Sequence, residues 1–328
     1  MPPPQQLIHA LWPHLRAAAA VLLGTLAALA GGGASAAPEP PQRLRDTGLF
    51  APGVQAFAPR YVLWSDGAQK RRWIAIPAGR AIDARDLDAW DFPRGTKLWK
   101  EFAVDGRPVE TRTIERRADG SWFFASYVWN AEGTEATLAP ARGTTLAVAG
   151  APDGRYAVPG RGDCLACHGG APAPVLGFSA LQLADQLPAL VARGTLKHLP
   201  ASLLKAPPQI AAETPTERAA LGLLHANCGH CHHGRGGVPV ALRLAQRVAD
   251  PEASRSEVLA SLLSPSGRFN AGAPLIEPGQ PQNSALVQRM RSRQGLLQMP
   301  PLGTQRPDDE GLALVERWIT HDLSRKEH

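Results

Sequence analysis

All four cysteines of the chain fall in two short segments, Cys164-Leu165-Ala166-Cys167-His168 and Cys228-Gly229-His230-Cys231-His232. Two thiols three positions apart share one side of a helical turn, where they reach the two vinyl groups of a porphyrin. The histidine after each pair brings a ring nitrogen to the iron. The spacing therefore predicts two covalently attached c-type haems. Cys164, Cys167, Cys228 and Cys231 would form the thioethers, with His168 and His232 as proximal iron ligands. A tetrahedral zinc site also uses paired cysteines, but it needs no histidine directly after both pairs. A redox disulfide motif calls for a βαβ context, which the flanking sequence lacks.

Methionine, a common sixth ligand, occurs only as Met1, Met290 and Met299. Met299 lies in Gln298-Met299-Pro300-Pro301-Leu302-Gly303, a stiff proline-rich loop able to hold a thioether against iron. That ligand favours ferrous iron and raises the potential relative to bis-histidine ligation. Met290 shares a helical stripe with Leu286 and Val287 and reads as core. The first haem has fewer options, because no histidine or methionine occurs between Ala37 and Asp163. A distal ligand from that stretch would have to be a lysine or a tyrosine. His198 is the candidate for folding back over this iron. His225, His230, His233 and His321 read as solvated or propionate-contacting side chains. An iron left open would permit chemistry on a small molecule.

The elements that position these groups change character along the chain. From Leu49 to Val158 the sequence reads as strands, among them Tyr61–Trp64, Arg72–Ile76 and Lys97–Trp99. Asp105-Gly106 and Asp119-Gly120 each sit between two such runs, the strongest short hairpin signal. Further short strands are expected at Glu135–Leu138 and Thr144–Val148. Six of the eight tryptophans lie in this region and read as core. Phe178 to Leu196 looks helical, with Pro188 kinking or splitting it. Thr214-Pro215-Thr216-Glu217 is a capped helix start leading into Cys228. Asp308-Asp309-Glu310 opens a last helix whose Leu314, Val315, Trp318 and Ile319 form an apolar stripe. The expected fold class is α+β: an N-terminal antiparallel β-domain, barrel or sandwich, over 37–198, a Pro-rich linker over 199–213, and an all-α domain over 214–328. Asp83, Asp86, Asp88 and Asp91 read as a solvated face, Arg161-Gly162-Asp163 as an ordinary turn, and Glu110 and Glu115 as strand residues with no visible partner.

Composition narrows the function classes. The chain has 328 residues, 44% hydrophobic and 20% charged, with a formal charge of +6. Its basic residues are scattered, which gives no support to a nucleic-acid partner. Arg16, the apolar run Ala17–Ala30 and Ala34-Ser35-Ala36 form a secretory signal over residues 1–36. The run is too short to span a bilayer, for which roughly 20 residues are needed. The expectation is a periplasmic protein with no stable membrane span after cleavage, meeting redox partner proteins.

From Thr216 to Leu323 the chain resembles a small class I cytochrome c domain, on the helix ending in Cys228–His232, the Met299–Gly303 loop and the Trp318-Ile319 helix. The resemblance implies that the first and last helices cross beside the haem, with His232 and Met299 as axial ligands. Most of the mature chain resembles a family of exported bacterial di-haem c-type cytochromes of unsettled function. The residues that carry this are Leu63-Trp64-Ser65-Asp66-Gly67-Ala68 with Lys70, Phe92-Pro93-Arg94-Gly95-Thr96, Lys100-Glu101-Phe102, Glu110-Thr111-Arg112 and Tyr127-Val128-Trp129-Asn130. The Phe-Pro-x-Gly-Thr and Lys-Glu stretch is also similar to monohaem β-cytochromes that oxidise hydroxylamine. That similarity implies a lysine cross-linked to the porphyrin, with Lys97 and Lys100 nearby. Three functional classes follow: an electron carrier, an enzyme with an open first iron acting on peroxide, nitric oxide or a hydroxylamine-like molecule, and a haem-bearing module of a larger complex.

Overall fold

The computed structural model describes residues 39–234, 238, 240–264 and 274–324. The expected export signal lies outside them. The fold mixes strands and helices around an antiparallel six-stranded sheet. Its strands are β1 (Gln55–Ala56), β2 (Gln69–Ala75), β4 (Lys97–Val104), β5 (Arg107–Arg116), β6 (Trp122–Trp129) and β7 (Ala136–Leu138), in that spatial order. β3 (Ile82–Asp83) pairs in parallel with β10 (Leu196–Lys197), and β8 (Thr144–Ala147) pairs with β9 (Arg155–Val158). The sheet stays open: β1 and β7 are its edges, so it is no barrel.

Both Asp-Gly hairpins form where the sequence places them. Asp105 and Gly106 have φ of 49° and 76°, the left-handed pair that matches a tight turn to strand twist. A bulge between Phe102 and Ala103 follows from the short connection. The pleat then sorts side chains by face. Trp73, Trp99 and Tyr127 share one face and pack with Leu44 and Leu49. Thr47 accepts the Trp99 indole N–H at 2.8 Å, and the Pro41 carbonyl accepts the Tyr127 hydroxyl at 2.9 Å. The chain's own residues 41–49 thus cover that face. The other face, carrying Arg72, Lys100 and Arg112, is turned to a cavity.

Seven helices serve the rest: α1 (Arg161–His168), α2 (Leu187–Ala192), α3 (Ser202–Lys205), α4 (Pro215–Asn227), α5 (Pro251–Leu263), α6 (Ala285–Arg291) and α7 (Asp309–Trp318) among the described residues. Thr214 caps α4 by accepting the Glu217 N–H at 3.0 Å, and the Glu217 carboxylate accepts the Glu213 N–H at 2.8 Å. Asp308 caps α7 through the Gly311 N–H at 3.0 Å. Helices α4 and α7 pack together so closely that a Cβ on Gly311 would lie 2.6 Å from Leu223 Cδ1. Val315, Trp318 and Ile319 are fully buried, as their stripe predicts. No helix among the described residues is long and apolar enough to cross a membrane.

Several local expectations give way to packing. Tyr61–Trp64 is not a strand, because its backbone bonds to side chains instead: Gln182 accepts the Tyr61 N–H at 2.9 Å and Asn227 the Trp64 N–H at 2.7 Å. Pro188 does not kink a long helix. It stands in the first turn of α2, where no N–H is needed. Of the six tryptophans in the β-rich region only Trp90 and Trp99 are fully buried. One cluster of buried apolar side chains runs from Phe57 and Ile74 through Phe178 and Leu221 to Trp318, and Ile210 of the Pro-rich stretch belongs to it.

Gly222 marks the tightest approach in this core, since a Cβ there would fall 2.1 Å from Cε1 of the Tyr61 ring. Alanine is the better helix former by up to about 1 kcal/mol, yet Gly222→Ala is expected to destabilise by roughly 1–3 kcal/mol through overpacking. Urea unfolding decides the sign. A midpoint that rises would show that Tyr61 does not lie against α4.

Candidate functional site

The first motif occupies α1. Asp163 accepts the Gly160 N–H at 2.9 Å and closes the helix start, so Arg161-Gly162-Asp163 is the first turn of the helix and not an ordinary turn. One short helix then carries Cys164, Cys167 and His168 on a common side. The His168 Nδ1–H donates to the Pro174 carbonyl at 2.5 Å. A carbonyl can only accept, so this bond fixes the tautomer and leaves Nε2 with a free lone pair, the arrangement of a metal-ligating histidine. Phe124 holds the ring from β6, centroid to centroid at 5.1 Å. Burial above all, then the charges of Lys100, His230 and Arg112, hold His168 neutral, its pKa down at about 4. Neutrality is what a ligand requires.

The second motif closes the C-terminus of α4. The Cys228 carbonyl accepts the Cys231 and His232 N–H groups at 3.1 and 2.9 Å, winding the motif into a turn. Asn227 anchors it: its amide donates to the carbonyls of Val62 and Leu223 at 3.2 and 2.9 Å while its oxygen holds the Trp64 N–H. His232 differs from His168 in its support, for its buried Nδ1 has no hydrogen-bond partner among the described residues. Burial first lowers its pKa, with the charges of His230 and Arg289 adding to the effect.

The two motifs meet. Cys167 and Cys231 act on one another strongly enough that the Cys167 thiol is pushed up and the Cys231 thiol down, each by the other more than by burial. His230 acts electrostatically on Cys231, His168 and His232. It stands at the junction of the two motifs, partly exposed. All four cysteines are free of disulfides.

A cavity of about 710 Å³ opens beside His168, bounded by α1, the second face of the sheet, and Pro300, Leu302 and Gly303. Pockets of roughly 300–1,000 Å³ enclose ligands of this general size. Lys100, Arg112, Tyr61 and His230 line it. A smaller cavity of about 380 Å³ lies against His225, His230 and His233. His225 Nδ1 accepts the Gln246 N–H at 3.0 Å, so its proton sits on Nε2. It lines this cavity, partly buried, with burial pulling its pKa to about 4.

Met299 donates its N–H to the Arg289 carbonyl at 2.9 Å, and the Arg289 charge acts on His232. His198 stands apart. Its ring is 42% exposed, its Nδ1 lies 3.1 Å from Asp83, and it does not line the cavity of His168. The Leu63–Ala68 turn acts as a clamp: Asp66 accepts the N–H groups of Gln305 and Arg306 at 2.9 Å, and the Trp64 indole donates to the Arg306 carbonyl at 3.1 Å. Glu110 is fully buried, taking Arg112 at 2.8 and 2.9 Å and the Tyr156 hydroxyl at 2.8 Å. It had no visible partner in the sequence because Tyr156 comes from a different sheet. The one available signal was the period-two placement of Glu110 and Arg112.

The donor set fits c-type haem at the first motif: two thiols and a tautomer-fixed, neutral histidine at the wall of an adequate cavity. At the second motif the chemistry fits, but no partner among the described residues orients the ring of His232 through Nδ1. Two tests follow. In haem-free protein, diamide is expected to accept the two electrons and two protons of one thiol pair and link Cys167 to Cys231. Peptide mapping that finds only Cys164–Cys167 and Cys228–Cys231 pairs would refute their contact. His168 and His225 refuse a proton that the unfolded chain accepts, so their stabilising effect is full above about pH 6.5 and is lost as pH falls toward 4. Haem-free protein should lose about 1–2 kcal/mol per histidine between pH 7 and 5, and His225→Gln should lessen that loss in denaturant titrations. Comparison with protein-family models, curated proteins and solved structures yields no match to this chain.

Proposed function

We propose that the protein is an exported di-haem c-type cytochrome that passes electrons between redox partners through two covalently bound haems. The carrying observation is the contact between Cys167 and Cys231. In a haem-loaded chain these sulfurs would be the atoms joining each porphyrin edge to the protein, so their meeting supports direct exchange between the two centres. Haem iron, when bound, supplies the one-electron ferric–ferrous couple. The chain's part is to ligate, orient and exclude water. His168, locked by Pro174, would ligate the first iron; His232 and Met299 would ligate the second.

A second reading, an enzyme acting on a small molecule at an open first iron, has its own support. The sheet face lining the first cavity offers no histidine and no methionine. The test is a haem count by pyridine haemochrome and mass, followed by a redox titration. Two haems per chain are expected, and Met299→Ala should lower the potential of one while leaving the other in place. An unmoved potential would remove Met299 from the second iron, and a chain without covalent haem would sink the proposal.

A further inference from the structure

Three cations stand side by side across the sheet. Arg72 on β2 lies opposite Lys100 on β4, and Lys100 lies opposite Arg112 on β5. Like charges directly opposed across strands destabilise a sheet, and here they also line a cavity. Among the described residues only Arg112 of the three is paired with a carboxylate, that of Glu110, which also accepts the Tyr156 hydroxyl. Lys70, next along the same face, spends a proton on the Leu63 carbonyl at 2.7 Å. Arg72 and Lys100 have no hydrogen-bond acceptor among the described residues; Lys100 Nζ rests over the Phe102 ring at 4.8 Å. Desolvation lowers both, Arg72 to about 10 and Lys100 well below its ordinary value. The row is partly buried and carries more positive charge than the one carboxylate beside it discharges.

The row's position limits what that charge is. The Arg112 charge reaches Cys164, and both Lys100 and Arg112 reach His168. Arg72, Lys100 and Arg112 line the same cavity as Cys164, so the row stands beside a sulfur that would carry the haem. We propose that Arg72, Lys100 and Arg112 form a site for a small monovalent inorganic anion, of the nitrite or azide class, in the cavity faced by His168. This rests on the reading of His168 as a haem ligand only for placing the anion over an iron. The anion supplies acceptors to Arg72 and Lys100 through charge-assisted hydrogen bonds.

Ferric haem-loaded protein, with its haem count taken first, is titrated with azide and nitrite and, as a neutral control, imidazole, reading the Soret band. Arg72→Gln and Lys100→Met should each weaken the anions about tenfold, the scale of one lost charge-assisted bond, while imidazole changes by less than about threefold. Unchanged anion affinity in both variants overturns the site. So does a low-spin ferric wild type that turns high-spin in Lys100→Met, since Lys100 would then be an iron ligand. If no haem is attached at Cys164–Cys167, the di-haem reading fails, and the anion site is read from haem-free protein alone. There, nitrite replacing gluconate at constant ionic strength should raise Tm in the wild type and not in Arg72→Gln/Lys100→Met. An equal rise in both overturns the proposal.

Discussion

Cys167 and Cys231 come from motifs far apart in sequence, and their contact depends on how the two motif-bearing helices are held. The first helix hangs from the sheet through Phe124 against His168. The second is tied at Asn227, whose single amide group serves the Val62 carbonyl, the Leu223 carbonyl and the Trp64 N–H. Buried amides of this kind are costly to leave unpaired, so losing any partner would loosen the chain between Tyr61 and Ala68 as well as the end of α4. The same segment grips the loop after Met299 through Asp66. One irregular stretch therefore sets the spacing of both motifs and of the expected sulfur ligand.

That arrangement explains why Tyr61–Trp64 resembles a strand but is not one. Its aromatic and β-branched residues would suit a pleated surface, yet its backbone groups are better used as attachment points for Gln182, Asn227 and Lys70. Gly222 supports it from beneath by leaving room for the Tyr61 ring. The cost of a glycine within α4 is offset by a close approach that no larger residue permits.

The sheet divides its work by face. One face is ordinary core, covered by Leu44 and Leu49. The other carries opposed cations beside a motif whose histidine is kept neutral, and burial there amplifies every charge. Sites that violate the local rules of stability are where function is concentrated. Arg72, Lys100 and Arg112 break the rule against like charges in register, while Glu110 pairs with only the last of them.

The sequence by itself determined the local pieces: the two Cys-x-x-Cys-His motifs, both Asp-Gly hairpins, and the caps at Thr214 and Asp308, since each is encoded by residues within one or two turns. It also yielded the apolar stripe of the last helix, which depends only on period. What required the tertiary structure was everything set by contacts between distant segments. The open sheet in place of a barrel, the meeting of Cys167 with Cys231, the Pro174 carbonyl on His168 and the alignment of three cations in register all belong to that class. A strand's residue types fix which side chains share a face, but only pairing decides which of them stand opposite one another, and only packing decides what that face encloses.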